Sequence, residues 1–231
     1  MSYAAYQQRV AAEAAVDQRI DFIRKTYLHL GGAILACIGV TGALLNSEFG
    51  ARMAMSMLGG SWMIVLVGFM IVGMVANRFA MSMGSPVKQY LGLGMYVVAQ
   101  SVIFVPLLFI ATRYSDASVV PTAGLLTAIV FGGLTATALL TKKDFSFMGR
   151  MLQMAGFAAI GFIVVSLIFG FTLGSLFSAA MVVLCAGYIL YDTSNVMRHY
   201  PIGSHVAASL ALFSSVATMF WYIVTLLMDR D

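Results

Sequence analysis

The 231 residues are 61% hydrophobic and only 10% charged, and the mean hydropathy is +0.94. A soluble domain carries roughly one quarter charged residues, so this composition excludes a soluble globular protein and indicates one embedded in a lipid bilayer. The net charge of +4 comes from Lys and Arg spread along the chain, without the clustered basic face that nucleic-acid binding needs, so we expect no nucleic acid partner.

Residues 1–26 form a polar, alanine-rich N-terminal tail. Asp21 and Lys25 are four residues apart, a spacing that supports a helix. The first apolar run after the tail is a full span, so no cleavable signal peptide is visible. We expect a helical segment at the membrane surface that either only anchors the topology or offers a cytoplasmic partner a segment to bind.

Seven apolar runs of about 20 residues follow the tail, and each is long enough to cross a hydrocarbon core of about 30 Å. They are Tyr27–Asn46, Met57–Ala76, Tyr90–Thr112, Pro121–Thr141, Met151–Phe171, Leu176–Asn195 and Val206–Met228. Because the runs are continuous, they exclude an outer-membrane β-barrel, whose shorter strands alternate in polarity. The prediction is an all-α integral membrane protein in which residues 27–231 form a seven-transmembrane-helix bundle.

Two features predict local geometry within the spans. Gly170 and Gly174 flank the short connection after the fifth span, so the fifth and sixth helices should form an antiparallel hairpin. Pro106 lies late in the third span, where it removes an amide donor and should kink the helix.

The distribution of Lys and Arg predicts the orientation of the spans, because basic residues are retained on the cytoplasmic side. The tail and every second connection hold Arg9, Arg19, Arg24, Lys25, Arg78, Lys88, Lys142, Lys143, Arg150 and Arg198, whereas the other side holds Arg52, Arg113 and Arg230. The N-terminus is therefore expected in the cytoplasm and the C-terminus in the periplasm.

Asp192 is a carboxylate inside the sixth apolar run. Such residues usually face a protein interior or a water-filled cavity and have a partner. Helical spacing places Cys185, Tyr188, Asp192, Asn195 and His199 on one stripe. The seventh span offers Ser214, Ser215, Thr218, Tyr222 and Thr225, and the third offers Gln100 and Ser101, which together predict a polar seam.

The expected surroundings of Asp192 leave two interpretations of its role open. Burial and the negative end of its helix both disfavour a charged carboxylate, unless a cation such as Arg78, Arg198 or His199 compensates. An acid coupled to a basic group would act as a proton or cation switch. Alternatively, Asp192 reaches interfacial water or caps a neighbouring helix.

Neither a metal centre nor catalysis is expected. Cys37 and Cys185 lie inside apolar runs, and the three histidines are scattered without an HExxH or paired CxxC motif, so we predict no metal and no cofactor. Tyr191-Asp192 resembles half of an aspartyl intramembrane protease site, but the second half, GxGD, is missing. Ser214 and Ser215 have no histidine in their span to act as a base.

Three stretches resemble the Bax inhibitor-1/YccA family of seven-helix membrane proteins across nearly the whole chain. They are IRKTYLHLGG at 23–32, LLTKKDFSFMGRML at 139–152 with Lys143 and Asp144, and AGYILYDTSNVMRHY at 186–200 with Tyr191 and Thr193. The bacterial YccA branch is the most similar.

This resemblance implies a pH-sensitive latch of two acids in the sixth and seventh helices, joined to an arginine in the second. Asp192 matches the first acid and Arg78 lies near the arginine position, but Ser215, or the neighbouring Ser214, stands where calcium-leak members have the second acid. A site of neutral hydroxyls holds Ca²⁺ poorly.

The YccA branch is associated with the membrane-bound AAA protease FtsH, which grips the cytoplasmic tail. We therefore predict an inner-membrane regulator of FtsH in bacterial membrane-protein quality control. The alternative is a pH-sensitive leak for Ca²⁺ or other cations, gated by Asp192, with Asn195, Ser215, Arg78 and His199 as further candidate site residues.

Overall fold

The computed structural model describes residues 10–141 and 143–229, which are predominantly helical. Within these residues the α-helices are α1 (Val16–Leu45), α2 (Glu48–Ser56), α3 (Trp62–Ala80), α4 (Pro86–Tyr114), α5 (Val119–Thr141), α6 (Gly149–Phe169), α7 (Gly174–Arg198) and α8 (His205–Met228). All except the short α2 are long and apolar enough to cross a membrane, giving seven spans. The predicted all-helical, seven-span class is confirmed, whereas the orientation of the termini stays a prediction.

The predicted boundary between tail and first span, at residue 26, is not a break in the structure. Helix α1 begins at Val16 and continues without interruption to Leu45. A short 3₁₀ turn, Ala11–Glu13, precedes it. Residues 1–9, which the tail prediction includes, lie outside the described residues.

The second span begins later than its apolar pattern predicted. Helix α2 is capped by Ser47, whose hydroxyl accepts the Gly50 N–H at 3.0 Å. A π-helical turn, Met57–Ser61, follows, and within it Gly60 has a φ of 118°. This left-handed conformation is open to glycine, which has no Cβ, and it interrupts the helix before α3 begins. The apolar run from Met57 therefore includes the interruption as well as the span.

The tight turn after the fifth span is confirmed. Helix α6 ends at Phe169, and Gly170 follows with a φ of 70° and an N–H bonded to the Ser166 carbonyl at 2.9 Å. Gly174 then opens α7 with a φ of 66°. Two glycines in the left-handed region reverse the chain within four residues, as a helix C-terminus of this type allows.

The described helices are divided between two compact units. The first comprises the chain up to Pro106 and Asn195–Ser214, and the second comprises Leu107–Ser194 and the chain from Ser215. Pro106, which is fully buried within α4, marks one of these divisions. Asp192 and Ser215 both belong to the second unit.

Candidate functional site

Asp192 is a buried acid in α7 with a direct hydroxyl partner. Its exposed fraction is 8%, and Ser215 of α8 donates a hydrogen bond from Oγ to Asp192 Oδ2 at 2.7 Å. The distance is that of a strong O–H···O bond, and it satisfies one oxygen of a group that is costly to bury alone. The structure thus brings together two of the predicted site residues, one from each of the last two spans.

Two small polar residues follow Asp192 and are completely buried. Ser194 accepts the Phe145 N–H at 3.0 Å and donates to Asp144 Oδ1 at 3.4 Å. The Thr193 hydroxyl has no hydrogen-bond partner among the described residues. Ser194 therefore ties the connection between α5 and α6 to the helix that carries Asp192, which gives Asp144 a structural contact.

Tyrosines of α7 pack into glycines of α6. A Cβ placed on Gly149 would lie 2.8 Å from the Tyr191 ring, and one on Gly156 would lie 2.8 Å from the Tyr188 hydroxyl. The same hydroxyl donates to the Leu152 carbonyl at 2.8 Å. The pairing of early α6 with late α7 is that of an antiparallel hairpin. The two motifs that carry the family resemblance, KDFSFMG and ILYDTSN, thus meet in one packed contact within the second unit.

The remaining predicted site residues lie at helix ends. Arg78 is exposed in the last turn of α3, and Lys143 is exposed just after α5. Asn195 is half-buried near the end of α7, and its carbonyl accepts the N–H of exposed His199 at 2.8 Å. Arg78 and His199 are thus exposed at helix ends, whereas Asp192 is buried and bonded to Ser215.

Two hydroxyls of the predicted polar seam bond the backbone of their own helix. Thr225 donates to the Trp221 carbonyl at 3.0 Å, and Ser101 donates to the Val97 carbonyl at 2.8 Å, each within its own helix. A hydroxyl that donates to the backbone of its own helix in this way has its donor satisfied locally. Two seam contacts join helices within the second unit: Ser215 of α8 bonds Asp192 of α7, and Tyr188 of α7 bonds the Leu152 carbonyl of α6.

The first unit holds a second polar cluster that was not predicted, because its histidines lie far apart in the sequence. His29 Nδ1 lies 2.7 Å from the Lys25 carbonyl, so it donates there, and Nε2 lies 3.1 Å from the Tyr90 hydroxyl. The His205 ring is centred 4.8 Å from the His29 ring. The signal in the sequence was the position of each of these residues at the expected cytoplasmic end of a span.

No cluster of three His, Cys, Asp or Glu side chains able to hold a metal ion occurs among residues 10–141 and 143–229. Cys37 and Cys185 are both buried free thiols. Asp192, with a single neutral hydroxyl beside it, has the donor set of a hydrogen-bonded pair, since Ca²⁺ takes six to eight oxygen ligands with several charges.

Comparison with known proteins gives one family. The sequence profile described as "Inhibitor of apoptosis-promoting Bax1" matches residues 19–231. A Golgi anti-apoptotic protein of vaccinia virus is 28% identical over 224 residues, 94% of this chain and 88% of the relative. An uncharacterized protein of Helicobacter pylori is 31% identical over 220 residues, 92% of this chain and 89% of the relative. A protein of Pseudomonas aeruginosa is 35% identical over 104 residues, which are 46% of its length. No solved structure matches.

Proposed function

Because the chain belongs to the Bax inhibitor-1 family of membrane proteins, we propose that it is a non-enzymatic regulator that acts on another membrane protein. The partner that its resemblance to the bacterial YccA branch favours is the membrane AAA protease FtsH. In this proposal the protein lies in the bacterial inner membrane, binds the protease complex and restrains its degradation of membrane substrates. The vaccinia virus relative is named for opposing apoptosis, which is likewise a regulatory role.

The observation that carries the proposal is an apolar pair on the part of α1 that precedes the first apolar run. Val16 and Ile20 are 61% and 58% exposed and lie four residues apart, so they share one face of the helix. Adjacent exposed apolar side chains that precede the first apolar run are suited to contact another protein or the membrane surface, and the proposal assigns them to the partner protein.

The segment before α1 holds this surface in place. Ala11 is fully buried and donates its N–H to the Tyr200 carbonyl at 3.0 Å, and Val10 forms an antiparallel bridge with Pro201. The start of the chain's described part is thus bonded to the connection between α7 and α8. A partner would meet a preorganised surface there, which lowers the entropy cost of binding.

Point substitutions test the proposal more sharply than removal of the tail, since removal would also break the Ala11 bond. The double variant Val16→Gln with Ile20→Gln should lower co-purification of the protease from detergent-solubilised membranes by roughly tenfold or more, because two apolar contacts are lost. Ala12→Gln, at an exposed position of the preceding turn, is the control and should behave as the wild type. Equal recovery of the protease with the double variant would contradict the proposal.

The second candidate function is the pH-sensitive cation leak, and the buried position of Asp192 is the observation that favours it. In that case Ca²⁺ would be a transported ion. Asp192→Asn should then alter Ca²⁺ or proton flux in proteoliposomes scanned from about pH 5 to 8. Asp116→Asn, which removes an exposed acid outside the spans, is the control. Flux equal to that of empty liposomes for the wild-type protein would eliminate this candidate.

A further inference from the structure

A groove separates α1 from α4 within the first unit. Its volume is about 380 Å³, and its lining includes Leu28, His29, Gly32 and Ala36 of α1 and Tyr90 and Gly94 of α4. The two glycines leave it open, since a Cβ built on either would meet no atom within 4 Å. Leu28 and Tyr90 are 63% and 50% exposed, so the groove is accessible from the surface of the chain.

The groove has the length of a lipid chain segment. From Leu28 to Ala36 it follows eight residues of α1, or about 12 Å at a rise of 1.5 Å per residue. One leaflet of the hydrocarbon core is about 15 Å deep, half of the roughly 30 Å of the whole core. An acyl chain can therefore lie in the groove along most of its depth.

One end of the groove is polar. There the His29 imidazole bonds the Tyr90 hydroxyl, while the rest of the lining is apolar. Aromatic side chains with a polar tip are typical of the level where headgroups meet the hydrocarbon core. This polar end is the expected cytoplasmic end of the groove, because α1 and α4 each run from the expected cytoplasmic side outward.

The same end is basic. Arg24 lies four residues before Leu28 and so on the same face of α1, it is exposed, and among the described residues it has no acidic partner at salt-bridge distance. Lys25, the next residue, is paired with Asp21 at 2.7 Å, so Arg24 supplies the positive charge at this end. The polar end of the groove therefore complements a negative charge.

We propose that this α1–α4 groove binds an anionic phospholipid. One acyl chain lies between Gly32 and Gly94, and the headgroup phosphate lies against Arg24, beyond the polar end of the groove at His29. Basic pockets between transmembrane helices on the cytoplasmic side are suited to anionic headgroups.

Native mass spectrometry of the purified full-length protein, with added phosphatidylglycerol or phosphatidylcholine, tests the site proposed for the acyl chain. The wild-type protein should retain phosphatidylglycerol in preference. Gly94→Leu should reduce that retention on the order of tenfold, because the side chain enters the groove. Gly132→Leu in α5, where a Cβ also meets no atom within 4 Å, is the matched control and should retain lipid as the wild type does. Unchanged retention in Gly94→Leu would overturn the proposal.

The headgroup site is tested separately. Arg24→Gln should lower the preference for phosphatidylglycerol about fivefold, equivalent to ~1 kcal/mol for one basic residue near the surface. Arg52→Gln, at an exposed position of α2, should leave the preference unchanged. Equal retention of both lipids by the wild type would overturn the anionic assignment. Circular dichroism and gel filtration check folding, and Gly32→Leu replaces Gly94→Leu if the latter does not fold.

Discussion

Replacing Ser215 with alanine removes the donor that holds Asp192. Hydrogen bonds between transmembrane helices contribute about 0.6 kcal/mol on average and up to about 1.7. An acceptor left buried without its partner costs about 1–3 kcal/mol. With Asp192 only 8% exposed and the bond at 2.7 Å, Ser215→Ala should lower the free energy of unfolding by about 1–2 kcal/mol.

Two further variants show whether the loss belongs to this bond. Asp192→Asn keeps an oxygen acceptor for Ser215, so it should cost less than about 1 kcal/mol. Ser209→Ala is the matched control on α8, because the Ser209 hydroxyl is also fully buried but donates to the Val206 carbonyl of its own helix at 2.8 Å. Its loss should change stability by no more than about 0.5 kcal/mol.

The measurement is equilibrium unfolding of the purified protein in detergent, at one pH, for the wild type, Asp192→Ala, Ser215→Ala and their combination. The cycle should give a coupling energy of about 0.5–2 kcal/mol between the two positions, since residues in direct contact are not additive. Additive losses, or a Ser215→Ala cost equal to that of Ser209→Ala, would refute the reasoning that the pair is energetically coupled.

Three other substitutions, the first with a control on the same helix, have definite expected outcomes. Gly149→Ala should cost about 1–3 kcal/mol of unfolding free energy through the clash with Tyr191, whereas Gly161→Ala on the same helix, with open space around it, should be neutral or stabilising. Gly170→Ala should cost about 1 kcal/mol because of its φ of 70°, measured in the same unfolding assay. The Ser118 backbone N–H donates a hydrogen bond to the Asp116 carboxylate and lowers the pKa of that carboxyl group. Its stabilising contribution is present above the ordinary Asp pKa and is lost as pH falls, so the difference in melting temperature from Asp116→Asn should shrink below about pH 4.

The number of spans followed from the sequence because crossing a hydrocarbon core requires a minimum apolar length, which is a local property. The turn at Gly170 was equally local. The start of the second span was not, since the apolar run begins inside the π turn at Met57, and the backbone at Gly60 separates that turn from α3. Hydropathy cannot detect an interruption made by a dihedral angle.

The prediction of a partner for Asp192 depended on the family resemblance, which placed either Ser215 or the neighbouring Ser214 at the position of the second acid. Neighbouring residues of a helix point about 100° apart, and the two hydroxyls have different partners. Ser215 bonds Asp192, whereas Ser214 lies 2.7 Å from the Tyr96 hydroxyl in the first unit. Helical periodicity predicts which residues of α8 share a face. The rotation of α8 about its axis is set by packing against other helices, so the sequence of α8 alone does not predict which neighbour each face meets.

The chemistry of this pair bears on the choice between regulator and leak. Two neighbouring acids must share a proton, so a change of pH changes whether they attract or repel. A serine hydroxyl can donate to a carboxylate and can equally donate to or accept from a carboxylic acid. A bond between Ser215 and Asp192 is therefore compatible with either protonation state, so protonation need not break the connection between α7 and α8. A contact that survives both states is poorly suited to gate a path and well suited to hold a membrane regulator in one conformation.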